Sequence, residues 1–427
     1  MKVDIGRKQP TLIRQTRKES DNLSKPCICI DVSKDTSHVQ GFIDFNKSVG
    51  KPIKIPHTLS GFKNIDDLYQ NILNQVNEKP LIILEYTGVY HRTVTSYLNH
   101  KQYDYFLVSP LKSANHRKGE IHNSKTDKRD CKNLASMFYN NKLGKFQKQD
   151  PIFNTLKDLN SEYKTNRFHL QKLEVTLNEL IDVIFPLFNH LFSDYLSKFS
   201  LNFFKKYYHP DLINNTRADD IVDFIFTNGH SLNYSVEKAT QIKIYASNII
   251  SGCDINSNKV SQFLNTIGLL EVLIDNQKRL ETKIIELAKE TLYFVPIRSI
   301  PGIGDNLASR LIAELGDISR FKKSESINAF LGIDPKIMQS GKMSGEHLSI
   351  SKKGNKVGRC ILFLMVRSMV RNRVMNNSIR TFYNKKKAQP NTPPKVALFA
   401  CANKLVRIIY SLCKTGSLYE NSISQNK

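Results

Sequence analysis

The stretch "CICIDVS", residues 27–33, is apolar and partly β-branched until it reaches Asp31. A short run of this kind reads as a strand, and a carboxylate at its end is the feature to explain. Working outward, "HVQGFIDF" (38–45) and "KPIKIPH" (51–57) read as its partner and a third strand. "TLSGFKNIDDLYQNILNQV" (58–76) has apolar residues at helical spacing behind a Thr58 or Ser60 cap. Then come a continuous apolar strand "PLIILEYTG" (80–88), a helix "VYHRTVTSYLNH" (89–100), a strand "YDYFLVSP" (103–110) and a helix "DKRDCKNLASMFYNN" (127–141). Three hairpin-like strands followed by alternating helices and strands is the order of an RNase H-like α/β domain, expected over residues 26–148, although many other α/β folds fit the same string.

Four acids stand at telling places in that string. Asp31 closes the first strand, Glu85 closes the fourth, and Asp127 and Asp130 lie three apart on one face of the last helix. In an RNase H-like sheet the two strand ends are neighbours and the helix brings its pair to the same spot. Clustered carboxylates repel one another unless a hard cation holds them, so the set points to Mg²⁺ or Mn²⁺. Arg117, Lys125, Lys128 and Arg129 around the helical pair are suited to hold a phosphate backbone. Taken singly, each acid has a plain alternative: a helix-dipole acid, a solvated ion-pair partner or a turn residue.

Beyond the α/β domain the chain is expected to be helical. Leu156, Leu159, Tyr163, Leu170, Leu173, Leu177, Leu180 and Ile184 keep three-four spacing, with Asn166 in the one missing slot. A second seam runs through Val260, Phe263, Ile267, Leu270 and Ile274 and fades before Ile284. These are coiled-coil heptads, which can pair antiparallel within a chain or between chains. The residues between them, 185–215, are rich in Phe and Tyr, read either as the core of a helical subdomain or as a base-stacking surface. The expected divisions are a disordered basic leader (1–25), the α/β domain (26–148), coiled-coil helices with an aromatic insert (149–294) and a helical C-terminal domain (295–420).

The formal charge is +24, and after Asp334 only Glu346 and Glu420 are acidic. Such a balance favours a polyanion, foremost nucleic acid. No apolar run approaches the length of a membrane span, and the first twenty residues lack the apolar core of a secretory signal, so no membrane is expected. The seven scattered cysteines point to reduced thiols in the cytoplasm, with Cys27 and Cys29 read as core residues.

In the C-terminal domain "IPGIG" (300–304) reads either as an ordinary turn between helices or as a helix-hairpin-helix turn, in which Gly302 and Gly304 let backbone N–H groups approach a phosphate. Lys352, Lys353, Lys356 and Arg359 in "ISKKGNKVGRCILFL" extend the basic surface.

"CICIDVSKDT", "LEYTGVYH", "VSPLKSANHRKGEIHNSKTDKRDCKNLA", "SIPGIGDNLASRLIAELGDISRF", "LGIDPKIMQSG" and "ISKKGNKVGRCILFL" together resemble the DEDD transposases of bacterial insertion sequences, recombinases guided by a bridge RNA. The likeness covers about residues 25–150 and 295–380. It implies that Asp31, Glu85, Asp127 and Asp130 form the metal-binding tetrad of a Holliday-junction-resolvase-like domain. It also implies that Ser340 in "QSG" is the nucleophile of a separate transposase domain, joining DNA through a serine-linked intermediate. The implied partners are donor and target duplex DNA, a guide RNA, and further copies of the chain in a homodimer or homotetramer. Tyr86 and His91 depart from the family, which commonly has a small residue and an aromatic at those places. Two other readings remain open: a junction-resolving endonuclease that uses water, with Ser340 structural, and a non-catalytic nucleic-acid-binding relative.

Overall fold

A computed structural model describes residues 25–45, 47–86, 88–110, 113–114, 116, 127–143, 150–188, 191–192, 194–334, 339–340, 343–344, 350–371, 377–390 and 392–420. At 127–129, 339–340 and 343–344 the description extends to the backbone alone. The chain divides into two compact units, Met1–Lys148 and Gln149–Lys427.

The first unit is built on five strands: β1 (Cys27–Val32), β2 (Thr36–Asp44), β3 (Lys47–Pro56), β4 (Leu81–Glu85) and β5 (Tyr105–Val108). Their order in the sheet is β3-β2-β1-β4-β5. Neighbouring strands β1, β2 and β3 pair antiparallel through short connections. β4 and β5 join parallel to β1 and to each other, which requires crossovers. Helix α1 (Leu59–Val76) makes the first and α2 (His91–His100) the second. Thr58 is the cap of α1: its Oγ1 accepts from the Gly61 amide at 3.1 Å. The helix ends at Asn77, whose φ of 53° is the left-handed conformation that stops a helix.

Side-chain alternation sorts β1 and β4 onto two faces. Ile28, Ile30, Ile82 and Leu84 pack against Phe62, Ile65 and Ile72 of α1 and Val94 and Leu98 of α2. Cys27, Cys29 and Ile83 face the other way, onto Cys131, Leu134, Ala135 and Phe138 of α3 (Asp127–Tyr139). Burial on both faces is why "CICIDV" carries no polar residue before Asp31. β3 begins four residues earlier than the sequence suggests, at Lys47, because bulges near Gly41 and Asp44 let the ladder continue along largely exposed side chains.

The second unit is helical. Helix α4 (Pro151–Ile184) starts with Pro151 behind Asp150, whose carboxylate accepts from the Ile152 amide. Helices α5 (Lys198–Lys206), α6 (Pro210–Asn215), α7 (Ala218–Thr227) and α8 (Leu232–Asn248) follow, then the long α9 (Asn258–Lys289). α4 and α9 lie antiparallel within the chain. Leu170, Leu177 and Ile184 share one core with Val260, Phe263, Ile267 and Leu270, whereas Phe153 and Leu156 share another with Ile284 and Ala288. The two heptad seams therefore close on each other. Asn166 fixes their register: its amide nitrogen donates to the Leu273 carbonyl at 2.9 Å and to Gln277 Oε1 at 2.7 Å.

The aromatic insert is a core. Phe185, Phe188, Phe203, Phe204 and Tyr207 are all at most 2% exposed, and ring centroids such as those of Phe188 and Phe204 stand 5.0 Å apart. Rings so enclosed have no face left for a base to stack on.

The remaining chain forms α10 (Phe294–Arg298), α11 (Asp305–Leu315), a 3₁₀ turn (Ile318–Arg320), α12 (Ser324–Leu331), the two-residue strands β6 (Gln339–Ser340) and β7 (Met343–Ser344), α13 (Lys356–Arg371), α14 (Ser378–Lys387) and α15 (Pro394–Thr415). α15 differs from the expectation of no span-length apolar segment. It has 22 residues, of which an 18-residue stretch has a mean hydropathy of 1.6, long and apolar enough to cross a membrane. Here Cys401, Ala402, Leu405, Val406 and Ile409 of this helix lie in the same core as Leu311 and Ile312 of α11 and Met365 of α13. Its apolar face serves the core of the unit.

Candidate active site

Asp31 and Glu85 are brought side by side by strand register. β1 and β4 pair in parallel through Cys27↔Leu81 to Ile30↔Leu84. One step further along the same ladder puts Asp31 beside Glu85, about 4.8 Å apart strand to strand. Both alternate with residues of the α3 side: Asp31 with Cys27 and Cys29, Glu85 with Ile83 and Leu81. The two carboxylates thus sit at the C-terminal ends of central strands and face the same helix.

Asp130 is in the first turn of that helix and is 8% exposed. It precedes Leu134 by four residues, on the stripe that packs against the sheet. The next residue, Cys131, donates its thiol to the carbonyl of His38 at 3.3 Å, and His38 is the residue paired with Asp31 across the β1–β2 ladder. The start of α3 is therefore pinned over the strand that carries Asp31. Asp127 opens α3, three residues before Asp130; its side chain lies outside the described residues, as do the side chains of Lys128 and Arg129 and the whole of Arg117 and Lys125.

The donor chemistry is hard oxygen, which suits Mg²⁺ or Mn²⁺ and not a soft metal. Among the described residues, no three His, Cys, Asp or Glu side chains are gathered tightly enough to hold an ion. Asp31, Glu85 and Asp130 therefore do not form such a group; Mg²⁺ commonly takes one or two carboxylates and keeps its waters, and the two strand-end acids are the residues that could hold it. His38, on the α3 side next to Asp31, is a neighbour that sequence reasoning does not single out. Its only signal there is strand alternation, two residues from Gln40 and four from Phe42.

Beneath the acids the thiols are inert. Cys27 and Cys29 are fully buried, and burial, reinforced by Cys27, pushes the Cys29 thiol well above its ordinary value. Tyr139 closes this floor: its hydroxyl donates to the Lys25 carbonyl at 3.0 Å, and burial raises its pKa.

In the second unit Ser340 ends β6, paired with Met343 of β7; its side chain lies outside the described residues. Gly302 has a φ of +86°, and a Cβ there would stand 3.3 Å from Met369 Cα. The glycine is thus required by its turn and by close approach to α13. Gly304 has open space around it and caps α11, and Asp305 in the first turn is ion-paired with Arg298. Lys352, Lys353 and Lys356 are exposed. Arg359 is half-buried and donates from Nη1 to the Leu331 carbonyl at 2.7 Å.

Comparison with known proteins bears on the same two regions. A family model described as Transposase IS116/IS110/IS902 family matches residues 296–384, and the DEDD transposase model of the IS110 type matches residues 28–186. The "Transposase for insertion sequence element IS1111A" of Coxiella burnetii is 32% identical over 123 residues, 29% of this chain and 33% of that protein. The "Insertion element IS110 uncharacterized 43.6 kDa protein" of Streptomyces coelicolor is 24% identical over 153 residues, 36% of each chain. A "Probable family 20 transposase" of Pseudomonas aeruginosa is 28% identical over 159 residues, 35% of this chain and 46% of that one. The chain spans between a third and a half of the length of these curated relatives. The first family model covers the turn of Gly302 and the strand of Ser340, the second all four acids, and on this footing the chain belongs to the IS110 family of DEDD transposases.

Proposed function

We propose that this protein is a transposase that cuts and rejoins DNA, with an RNase H-like first unit as its carboxylate centre. The observation that carries this is the placement of Asp31 and Glu85 at neighbouring strand ends, both facing the helix turn that holds Asp130. The strand order β3-β2-β1-β4-β5, antiparallel then parallel, supports the RNase H-like reading. Asp31, Glu85 and Asp130, with Asp127, would hold divalent cations. When bound, such ions stabilise negative charge on the oxygens of a phosphodiester undergoing displacement.

The reading assigns the joining chemistry to Ser340. Its hydroxyl oxygen attacks phosphorus and displaces a DNA hydroxyl, the serine proton passing in net terms to the departing oxygen. The product is a phosphoserine diester. A hydroxyl of a second DNA end then attacks the same phosphorus and releases serine. Each step exchanges one P–O ester bond for another, so strands are rejoined without an outside energy source. By family likeness the partners are donor and target duplexes, a guide RNA and further copies of the chain, in the cytoplasm where the DNA is. The net charge of +24 supports the polyanionic partners.

The test is strand joining between a donor and a target plasmid, with any RNA that co-purifies, in the presence and absence of Mg²⁺. Asp31→Asn and Glu85→Gln are expected to lower joining by on the order of 100-fold or more while leaving the fold intact. Ser340→Ala is expected to abolish a covalent protein–DNA adduct. Mg²⁺-dependent nicking that survives Ser340→Ala undiminished would establish the water-using endonuclease instead, and unchanged joining by the Asp31 variant would sink the carboxylate centre.

A further inference from the structure

A groove of about 410 Å³ opens between α11 and α13, lined by Leu307, Leu364, Arg367, Ser368 and Arg371. It lies beside the Gly302 turn, because the Ser368 hydroxyl donates to the Gly302 carbonyl at 2.8 Å. Arg367 and Arg371 are one helical turn apart, so both guanidinium groups reach the same rim. Among the described residues neither is ion-paired with a carboxylate. Arg367 leans over the Phe363 ring at 5.9 Å, and Leu364, three residues before it on α13, is 38% exposed. The groove thus offers two uncompensated cations over an apolar floor. Around it, the chain after Asp334 has only two acids, Glu346 and Glu420.

We propose that this groove takes a single-stranded segment of DNA, its phosphates on Arg367 and Arg371 and a base or deoxyribose against Leu307 and Leu364. The inference rests on the transposase reading, in which strand exchange exposes unpaired DNA. Two properties select the occupant. Free guanidinium groups select phosphate. The apolar floor needs the face of an unpaired base, which a stacked duplex keeps to itself; DNA rather than RNA follows from the transposase reading, and the oligo-U arm of the test decides it.

The test uses the full-length chain and three probes: oligo-dT, oligo-U and a blunt duplex, each titrated over a range of salt by fluorescence anisotropy. On a single strand, every phosphate that a cation no longer neutralises lowers the salt slope by about 0.7. The Arg367→Gln/Arg371→Gln double variant is expected to lower the oligo-dT slope by about 1.4 and leave the duplex slope unchanged. Leu364→Gln is expected to weaken oligo-dT binding several-fold with no change of slope. Both substitutions are at solvent-facing positions, and a thermal melt matching that of the unaltered chain confirms the fold. An unchanged oligo-dT slope overturns the inference while leaving the transposase reading intact, since joining is measured separately. A slope that falls equally on duplex, or more on oligo-U, assigns the groove to those ligands and overturns it too. Failure of the unaltered chain to bind any of the three probes overturns both.

Discussion

Cys131 donates its thiol to the backbone carbonyl of His38 at 3.3 Å, across 93 positions of sequence. That bond, with the Leu134 and Phe138 contacts behind it, decides where the acid-bearing turn of α3 lies over the sheet. Cys131→Ser retains a donor of similar size and is expected to be nearly neutral. Cys131→Leu overpacks a fully buried site and should cost about 1–3 kcal/mol. Denaturant midpoints measure the stability. Strand joining by the Leu variant should fall further than its stability loss explains, because the start of α3 is displaced.

Asp31 and Glu85 share a face at adjacent strand ends, so without a cation they repel. Glu85→Gln is expected to stabilise the cation-free protein by roughly 0.2–1 kcal/mol, the size of a cross-strand charge pair. The same substitution should remove most of the Mg²⁺-induced rise in melting temperature. Differential scanning calorimetry with and without Mg²⁺ reads both effects. A full Mg²⁺ response in the Gln variant would exclude Glu85 as a ligand.

The two glycines of the "IPGIG" turn should behave differently. At Gly302 the positive φ and the nearby Met369 backbone make Gly302→Ala costly, by about 1–3 kcal/mol. At Gly304 φ is −85° and the space is open. Gly304→Ala loses only a helix-cap preference, about 0.5 kcal/mol. Equal losses in urea unfolding would contradict the account of the turn.

Asn166 is a buried polar residue in an otherwise apolar seam. Such residues specify register at a cost in stability. Asn166→Leu is expected to leave stability within about 1 kcal/mol but to allow pairing between chains. Size-exclusion chromatography with light scattering should then show a mixture that the unaltered chain does not form.

Stability should fall as pH rises above about 9. Burial holds the Cys401 thiol up to about 11 and that of Cys413 up to about 12. Desolvation, then the Asp66 carboxylate, raises Tyr97 and Tyr103 to about 12. In the unfolded chain these groups ionise at their ordinary values of 9.0 and 10.0. Between those values and about 12 the unfolded state binds fewer protons than the native one, so the sign of linkage is loss of stability with rising pH. Urea midpoints at about pH 8 and about pH 10.5 measure it, and Cys413→Ala should flatten the slope.

Local sequence determined the elements and the positions of the acids within them. Strands buried on both faces must be apolar along their length, so β1 and β4 were visible together with the carboxylates that end them. Thr58 or Ser60 marked the start of α1. Tertiary structure decided every question of partnership. The heptads were compatible with pairing within or between chains, and only the shared cores of Leu170 with Leu270 and Leu156 with Ile284 made the pair antiparallel and internal. The turn at Gly302 was legible, whereas the close approach of Met369 to it came only from packing. The aromatic insert could have faced solvent, yet its rings enclose one another. His38 became a neighbour of Asp31 only through pairing of strands. The physical reason is the range of the forces: propensity, capping and patterning act over a few residues, whereas the choice of partner depends on which distant apolar faces can be buried together after the loops between them have closed.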